Sequence, residues 1–304
     1  MSNASSNRPL GTGHSPGNGN PARFAPSPLD RQASSNSRPS TNSRPSILGI
    51  WRLGEVIHTN LGSELAFAQP ADALGSPRWD YVLKRALEGD GDVEARRQIT
   101  QFVVAATAVA HPNLIPMLDA SVTASSPYLV MPKIEGQTMQ SLMTSPGSIP
   151  LPVALWFVRQ IAQAVDALHQ AGWIHGDIKP ENVIVGARGH VTVIDLGFAA
   201  RIHTVSRHRF RGTPEYSSPE AIAGQMAAMP AMDVFSLGRI LWKWLTCIEQ
   251  VNQASIEPVA GLVESMVNED HAQRPSARSV SDQLLRLEIE SLGCHIGPGQ
   301  RRAA

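Results

Sequence analysis

Long apolar runs are missing from this chain, and so are clustered cysteines and any excess of one charge. The longest largely apolar stretch, residues 102–110, ends at His111 and falls short of the roughly 20 residues needed to span a bilayer. No basic stretch followed by an apolar core opens the sequence, so neither a signal peptide nor a membrane partner is expected. Cys247 and Cys294 stand alone, without metal-ligand spacing. Isolated thiols favour a reduced, cytoplasmic protein over a disulfide scaffold. Lys and Arg number 26, as do Asp and Glu, for a formal charge of zero. That balance leaves no electrostatic footprint for a nucleic-acid partner.

What is present fits a globular protein. At 304 residues, with 42% hydrophobic and 17% charged side chains, the chain can bury one large core or two modest ones. Residues 1–46 differ: they are rich in Ser, Asn, Pro, Gly and Arg and nearly free of large apolar side chains. Such a segment cannot offset its ordering entropy and reads as a disordered tail. Arg8, Arg23, Arg31, Arg38 and Arg44 against Asp30 make it basic; the alternative reading is a docking or phosphorylatable arm. Ordered structure is expected over residues 47–292, with a flexible end over 293–304.

The chemistry is concentrated in one stretch, His175-Gly176-Asp177-Ile178-Lys179-Pro180-Glu181-Asn182, followed by Asp195-Leu196-Gly197. An acid, a lysine and an amide stand close together there, with a second acid one hairpin further on. Phosphoryl transfer needs an acid to orient a hydroxyl, a cation to offset charge and oxygen ligands for magnesium. The spacing Asp-x-Lys-x-x-Asn and the following Asp-Leu-Gly resemble the catalytic loop and Asp-Phe-Gly of eukaryotic-like serine/threonine protein kinases. The resemblance implies a bilobal α+β fold. A small antiparallel β lobe with one helix would span residues 47–131, and a mainly helical lobe residues 132–292, with ATP in the cleft.

By the same resemblance Asp177 accepts the proton of the substrate hydroxyl, Lys179 neutralises the γ-phosphate, and Asn182 and Asp195 hold magnesium. Tyr81-Val82-Leu83-Lys84 resembles the strand whose lysine contacts the α- and β-phosphates. Met131 stands at the back of the adenine pocket. The carbonyl of Pro132 and the N–H of Ile134 bind the adenine edge, a position where proline costs nothing because only a carbonyl is used. Thr213 would bond Asp177 and Lys179, Glu220 would pair with Arg274, and Asp233 would hold the catalytic-loop backbone. The implied partners are proteins carrying Ser or Thr, and residues 212–220 resemble a protein-substrate segment, which weighs against a small-molecule substrate.

Three departures from the family pattern matter. Where kinases carry Gly-x-Gly-x-x-Gly, this chain has His58, Asn60 and Ser63, with Gly62 nearby. Side chains there hinder close backbone approach to phosphate, although Asn60 and Ser63 are small and can donate hydrogen bonds. Taken alone, the hairpin reads as a plain β-turn. No Asp or Glu occurs between residues 95 and 118, so the glutamate that should pair with Lys84 is absent from its place. Gln98, Gln101 and Phe102 stand there, and Glu94 comes too early. Finally, Gly176 replaces the arginine that anchors a phosphorylated activation loop. Alanine at Thr204, Ser206 and Thr213 is therefore expected to leave the fold and ATP binding intact. The basic run of Arg201, His203, Arg207, His208, Arg209 and Arg211 reads equally as a solvated loop or as a lure for acidic substrates. Two functions stay open: an ATP- and Mg2+-dependent serine/threonine kinase, or a pseudokinase acting as an interaction module.

Overall fold

The computed structural model describes residues 47–60, 62–73, 75–87, 92–145, 149–205, 210, 212–224, 227–248 and 253–295. The basic tail, Ser206, Arg207, His208, Arg209 and Arg211 lie outside them.

The first lobe is a six-stranded antiparallel sheet crossed by one helix. Its strands are β1 (Ile47–Leu48), β2 (Trp51–Asn60), β3 (Ser63–Pro70), β4 (Tyr81–Ala86), β5 (Asp119–Ser121) and β6 (Tyr128–Pro132). They lie in the order β1-β2-β3-β4-β6-β5. Strand alternation sends Trp51, Leu53, Ala68, Leu83, Tyr128 and Val130 into one buried cluster. The opposite face takes the helix α1 (Asp92–Ala108), which buries Ala95, Ile99, Phe102 and Ala105 at near-helical spacing. Lys84 is two residues from Val82 and so leaves the strand on the side away from Leu83.

The second lobe is mostly helical. After β7 (Gln137–Thr138), α2 (Met139–Thr144) and α3 (Leu151–Gln170), the chain runs through β8 (Trp173–Ile174), β9 (Val183–Val185), β10 (Val191–Val193) and β11 (Ala200–Arg201). The helices α4 (Pro219–Ala223), α5 (Pro230–Leu245), α6 (Gln253–Met266) and α7 (Ala277–His295) complete it. The stripe Leu155, Val158, Ile161, Ala162, Val165 and Leu168 is fully buried, as sequence periodicity predicts. Apolar spacing alone predicts a helix over residues 155–171; α3 starts four residues earlier, at Leu151, because Pro152 sits in its first turn, where proline is tolerated. Gly172, at φ +81°, turns the chain out of it.

The closing helices also depart from expectation. Apolar spacing in the sequence predicts closing helices over residues 262–267 and 280–292, the first reached by a connection through Gly261. Instead α6 begins at Gln253 and contains Pro258. Val259, Leu262, Val263 and Met266 are buried at helical spacing, and this apolar stripe outweighs the proline. Likewise α7 runs from Ala277 through His295, beyond the expected residues 280–292 at both ends.

Candidate active site

A tight loop between β8 and β9 carries Asp177. The loop is suspended from Asp233 in the first turn of α5, whose carboxylate accepts the N–H groups of His175 at 2.8 Å and Gly176 at 2.9 Å. Asp233 is buried, and burial alone would raise its pKa. The hydrogen bond and charge of His169, with Nε2 at 2.9 Å, and the Gly176 amide outweigh that and hold it below the ordinary carboxylate value. His169 was missed by sequence reasoning. Its signal was a lone histidine in the last turn of α3, 64 residues from its partner.

Around Asp177 three side chains converge. Lys179 Nζ lies 2.8 Å from Asp177 Oδ2 and donates to Thr213 Oγ1 at 2.8 Å. Thr213 donates to Asp177 Oδ1 at 3.1 Å. Asn182 Nδ2 donates to Asp177 Oδ2 at 3.0 Å and to its backbone oxygen at 2.9 Å. A carboxylate offers about four lone-pair sites, so these partners orient Asp177 without exhausting it. Glu220 and Arg274 meet as expected, in a bidentate pair at 2.6 and 3.0 Å. Arg274 also donates to the carbonyls of Asn268 and Ala231, which fixes the end of the segment that carries Thr213.

The hairpin β9–β10 returns the chain so that Ile194 N–H bonds the Asn182 carbonyl at 2.9 Å. This brings Asp195 beside the loop. Asp195 sits in the left-handed region at φ 65°, ψ 77°, uncommon for a residue with a side chain. Its carboxylate accepts the Gly197 N–H at 3.1 Å and meets Lys84 Nζ at 3.0 Å through both oxygens. Burial opposes its ionisation, but the charge and hydrogen bond of Lys84 and the Gly197 amide lower its pKa overall. Lys84 is thus brought to the site from 111 residues away.

On the nucleotide side the groups are spent on one another. Asn60 pairs with Ser63 across the β2–β3 hairpin, and the Ser63 hydroxyl donates to Asn60 Oδ1 in a short contact. Ser63 is buried. Glu94 accepts from Arg97 at 2.8 Å and from Gln98 Nε2 at 3.2 Å. Met131 lies opposite Val82 in the β4–β6 ladder. Past it, the Lys133 N–H bonds Asp80, and among the described residues none accepts the N–H of Ile134. Oxygen donors for a metal are limited. Among the described residues no group of three His, Cys, Asp or Glu could hold an ion. Asn182 and Asp195 suit magnesium, which is usually held by one or two protein carboxylates or amides completed by substrate phosphates.

Gly176 adopts φ +79°, and a Cβ there would stand 2.6 Å from the Phe198 carbonyl oxygen. Backbone therefore packs on backbone where the family carries arginine. Behind it opens a cavity of about 490 Å³, lined among others by Arg97, Gln101, Phe198, Thr204 and Ser217. Arg201 turns its guanidinium over the Trp173 ring at 5.3 Å.

The protein kinase domain family matches residues 80–285. The chain is similar to the serine/threonine-protein kinase PkaA of Streptomyces coelicolor, at 27% identity over 84% of this chain and 50% of that protein. It is also similar to PrkC of Bacillus subtilis, at 30% identity over 56% of this chain and 25% of that one. For PknB of Mycobacterium leprae the identity is 33%, over 46% and 24%. The chain thus spans half the length of the first relative and about a quarter of the other two. The family match runs from the strand of Lys84 into the last helix, and on that ground the chain belongs to the protein kinase domain family and resembles its eukaryotic-like serine/threonine members.

Proposed function

We propose that this chain transfers the γ-phosphate of ATP to serine or threonine hydroxyls of proteins; two of its relatives carry the name serine/threonine-protein kinase. The observation that carries the reading is the convergence of Lys179, Asn182 and Thr213 on the Asp177 carboxylate. An aspartate kept merely as a turn residue needs no such set of partners. Asp177 orients the substrate hydroxyl and takes its proton as the oxygen–phosphorus bond forms and the β,γ-bridging bond breaks. Lys179 lies beside that carboxylate and offsets charge on the transferring group. Lys84 contacts the α- and β-phosphates, and Met131, Pro132 and Ile134 frame the adenine. Magnesium, when held by Asn182 and Asp195, supplies charge neutralisation between the phosphates. The isolated cysteines support a cytoplasmic setting for this activity, and its substrates on this reading are proteins carrying Ser or Thr.

A second reading is supported by the small lobe: the Asn60–Ser63 clamp and the pairing of Glu94 with Arg97 and Gln98 suit a pseudokinase that acts as an interaction module. Radiolabel transfer from ATP and magnesium to a generic protein substrate, beside Asp177→Asn, separates the two. Loss of the proton acceptor is expected to lower the rate by about 10²–10⁴-fold. Transfer no greater than in Asp177→Asn, with no magnesium-dependent stabilisation by ATP, would establish the pseudokinase instead.

A further inference from the structure

Lys84 meets one carboxylate among the described residues, that of Asp195. Asp195 is also the residue proposed above to hold magnesium, so a loaded site would draw it from the lysine. Some other group must then keep Lys84 in place. The helix α1 packs on the turn after Asp195, and Gln98 is the α1 side chain that stands against Gly197 there. A Cβ built on Gly197 would lie 3.2 Å from Gln98 Cβ and 3.0 Å from Asp195 Oδ1. Gln98 therefore occupies the position from which a helix residue can reach the Lys84–Asp195 pair.

Gln98 is itself held from behind. Its Nε2 donates to Glu94 Oε1 at 3.2 Å, one helical turn back. The same carboxylate is gripped by Arg97 at 2.8 and 3.2 Å. With one N–H given to Glu94, the amide keeps a second N–H and its carbonyl oxygen to act toward the turn. A carboxamide placed between a carboxylate and an ammonium can donate to the first and accept from the second. Its dipole then favours both contacts.

We infer that Gln98 is a positioning residue that relays the negative charge of Glu94 to Lys84, in place of a direct ion pair. The inference rests on the kinase reading and deepens it. The amide binds Lys84 more weakly than a carboxylate and so leaves the ammonium freer to meet phosphate. It also leaves Lys84 less well placed before nucleotide arrives.

The test is an exchange of the two side chains, Glu94→Gln with Gln98→Glu. The helix keeps its charge, but the carboxylate moves to the turn. ATP affinity, read as Kd with a fluorescent nucleotide and as KM in steady state, is expected to tighten several-fold. Gln98→Leu, which can neither donate nor accept, is expected to weaken it by about tenfold, with kcat less affected. Gln101→Leu, one turn along the same helix, serves as the control and should leave both unchanged. Thermal melting of each variant separates misfolding from misplacement. If the exchange and Gln98→Leu shift melting but leave Kd and KM at the wild-type values, Gln98 is structural and the relay is wrong. If the wild-type chain binds no ATP with magnesium, the kinase reading falls and takes the relay with it.

Discussion

The two sides of the cleft are built to different standards of support. In the large lobe, Asp177 has three side-chain partners, and the loop that carries it hangs from a buried carboxylate by two backbone amides. In the small lobe, Asn60 is paired with Ser63 and Glu94 with Arg97 and Gln98. The ion pair of Lys84 with Asp195 ties these two systems together. On the kinase reading proposed above, the difference teaches that chemistry and nucleotide presentation are separable in this fold. The catalytic side is over-determined, so losing one partner should cost stability before geometry. The nucleotide side is tuned by a few contacts and should answer to substitution in affinity.

The largest expected effect breaks the large-lobe scaffold. Arg274 has no exposed side-chain surface and pairs with Glu220 at 2.6 Å. Arg274→Ala strands that carboxylate and should cost about 3–5 kcal/mol. The matching change in the small lobe is Arg97→Ala, where both members of the ion pair are about a third exposed, and about 0.5 kcal/mol or less is expected. Thermal melting distinguishes them, at roughly 2–4 °C per kcal/mol for a domain of this size. Equal shifts would abolish the contrast.

Next comes the tie between the lobes. The folded pKa values of Asp195, Asp233 and Glu220 all lie below their ordinary ones. Their ionised forms therefore stabilise the fold above the unfolded carboxylate pKa of about 4, and that stability is lost as pH falls through the lower folded values. Lys84→Met removes the cation that helps keep Asp195 ionised. The variant should melt below wild type at neutral pH, with the gap closing in acid as Asp195 protonates. A gap independent of pH would mean that Lys84 contributes packing alone.

Gly176→Ala follows. A side chain at φ +79° costs about 1–2 kcal/mol, and its Cβ would press on the Phe198 carbonyl. Because that pressure falls on the Asp177 loop, kcat should drop more than ATP affinity. A larger change in KM than in kcat would show that the loop is coupled to the nucleotide side after all.

How far these contacts were legible depended on what sets each one. Asp177, Lys179 and Asn182 lie within six residues, so local spacing alone puts them on one loop, and resemblance supplied Thr213, Glu220 and Asp233. The His169–Asp233 contact was not legible, because a histidine within an amphipathic helix gives no sign of what packs on its last turn. Nor was the direction of Glu94. Helix phase against the Asp195 turn is set by burial of Ile99 and Phe102, and only that packing points Gln98 at the turn. The start of α6 was hidden by Pro258, whose local breaking tendency lost to a buried stripe. The bilobal outline survived these misses because long-range periodicity in α3 and α5 needs no exact boundary.

The smallest expected effect bears most directly on the comparison. The Ser63 hydroxyl and the Asn60 amide are committed to each other, so the hairpin is stabilised by groups that could otherwise face phosphate. Replacing both with glycine removes that bond and adds backbone freedom in a strand, costing about 1–2 kcal/mol in all. It also clears two side chains from the path of backbone N–H groups toward phosphate. If the hairpin limits nucleotide presentation, ATP KM should fall a few-fold despite the lower melting temperature, and kcat should hold. Stability and affinity would then move in opposite directions, which simple unfolding of the lobe cannot produce. If KM instead rises with the loss of stability, the Asn60–Ser63 clamp is part of the nucleotide site. The weak point of the small lobe would then lie wholly in α1, at Gln98.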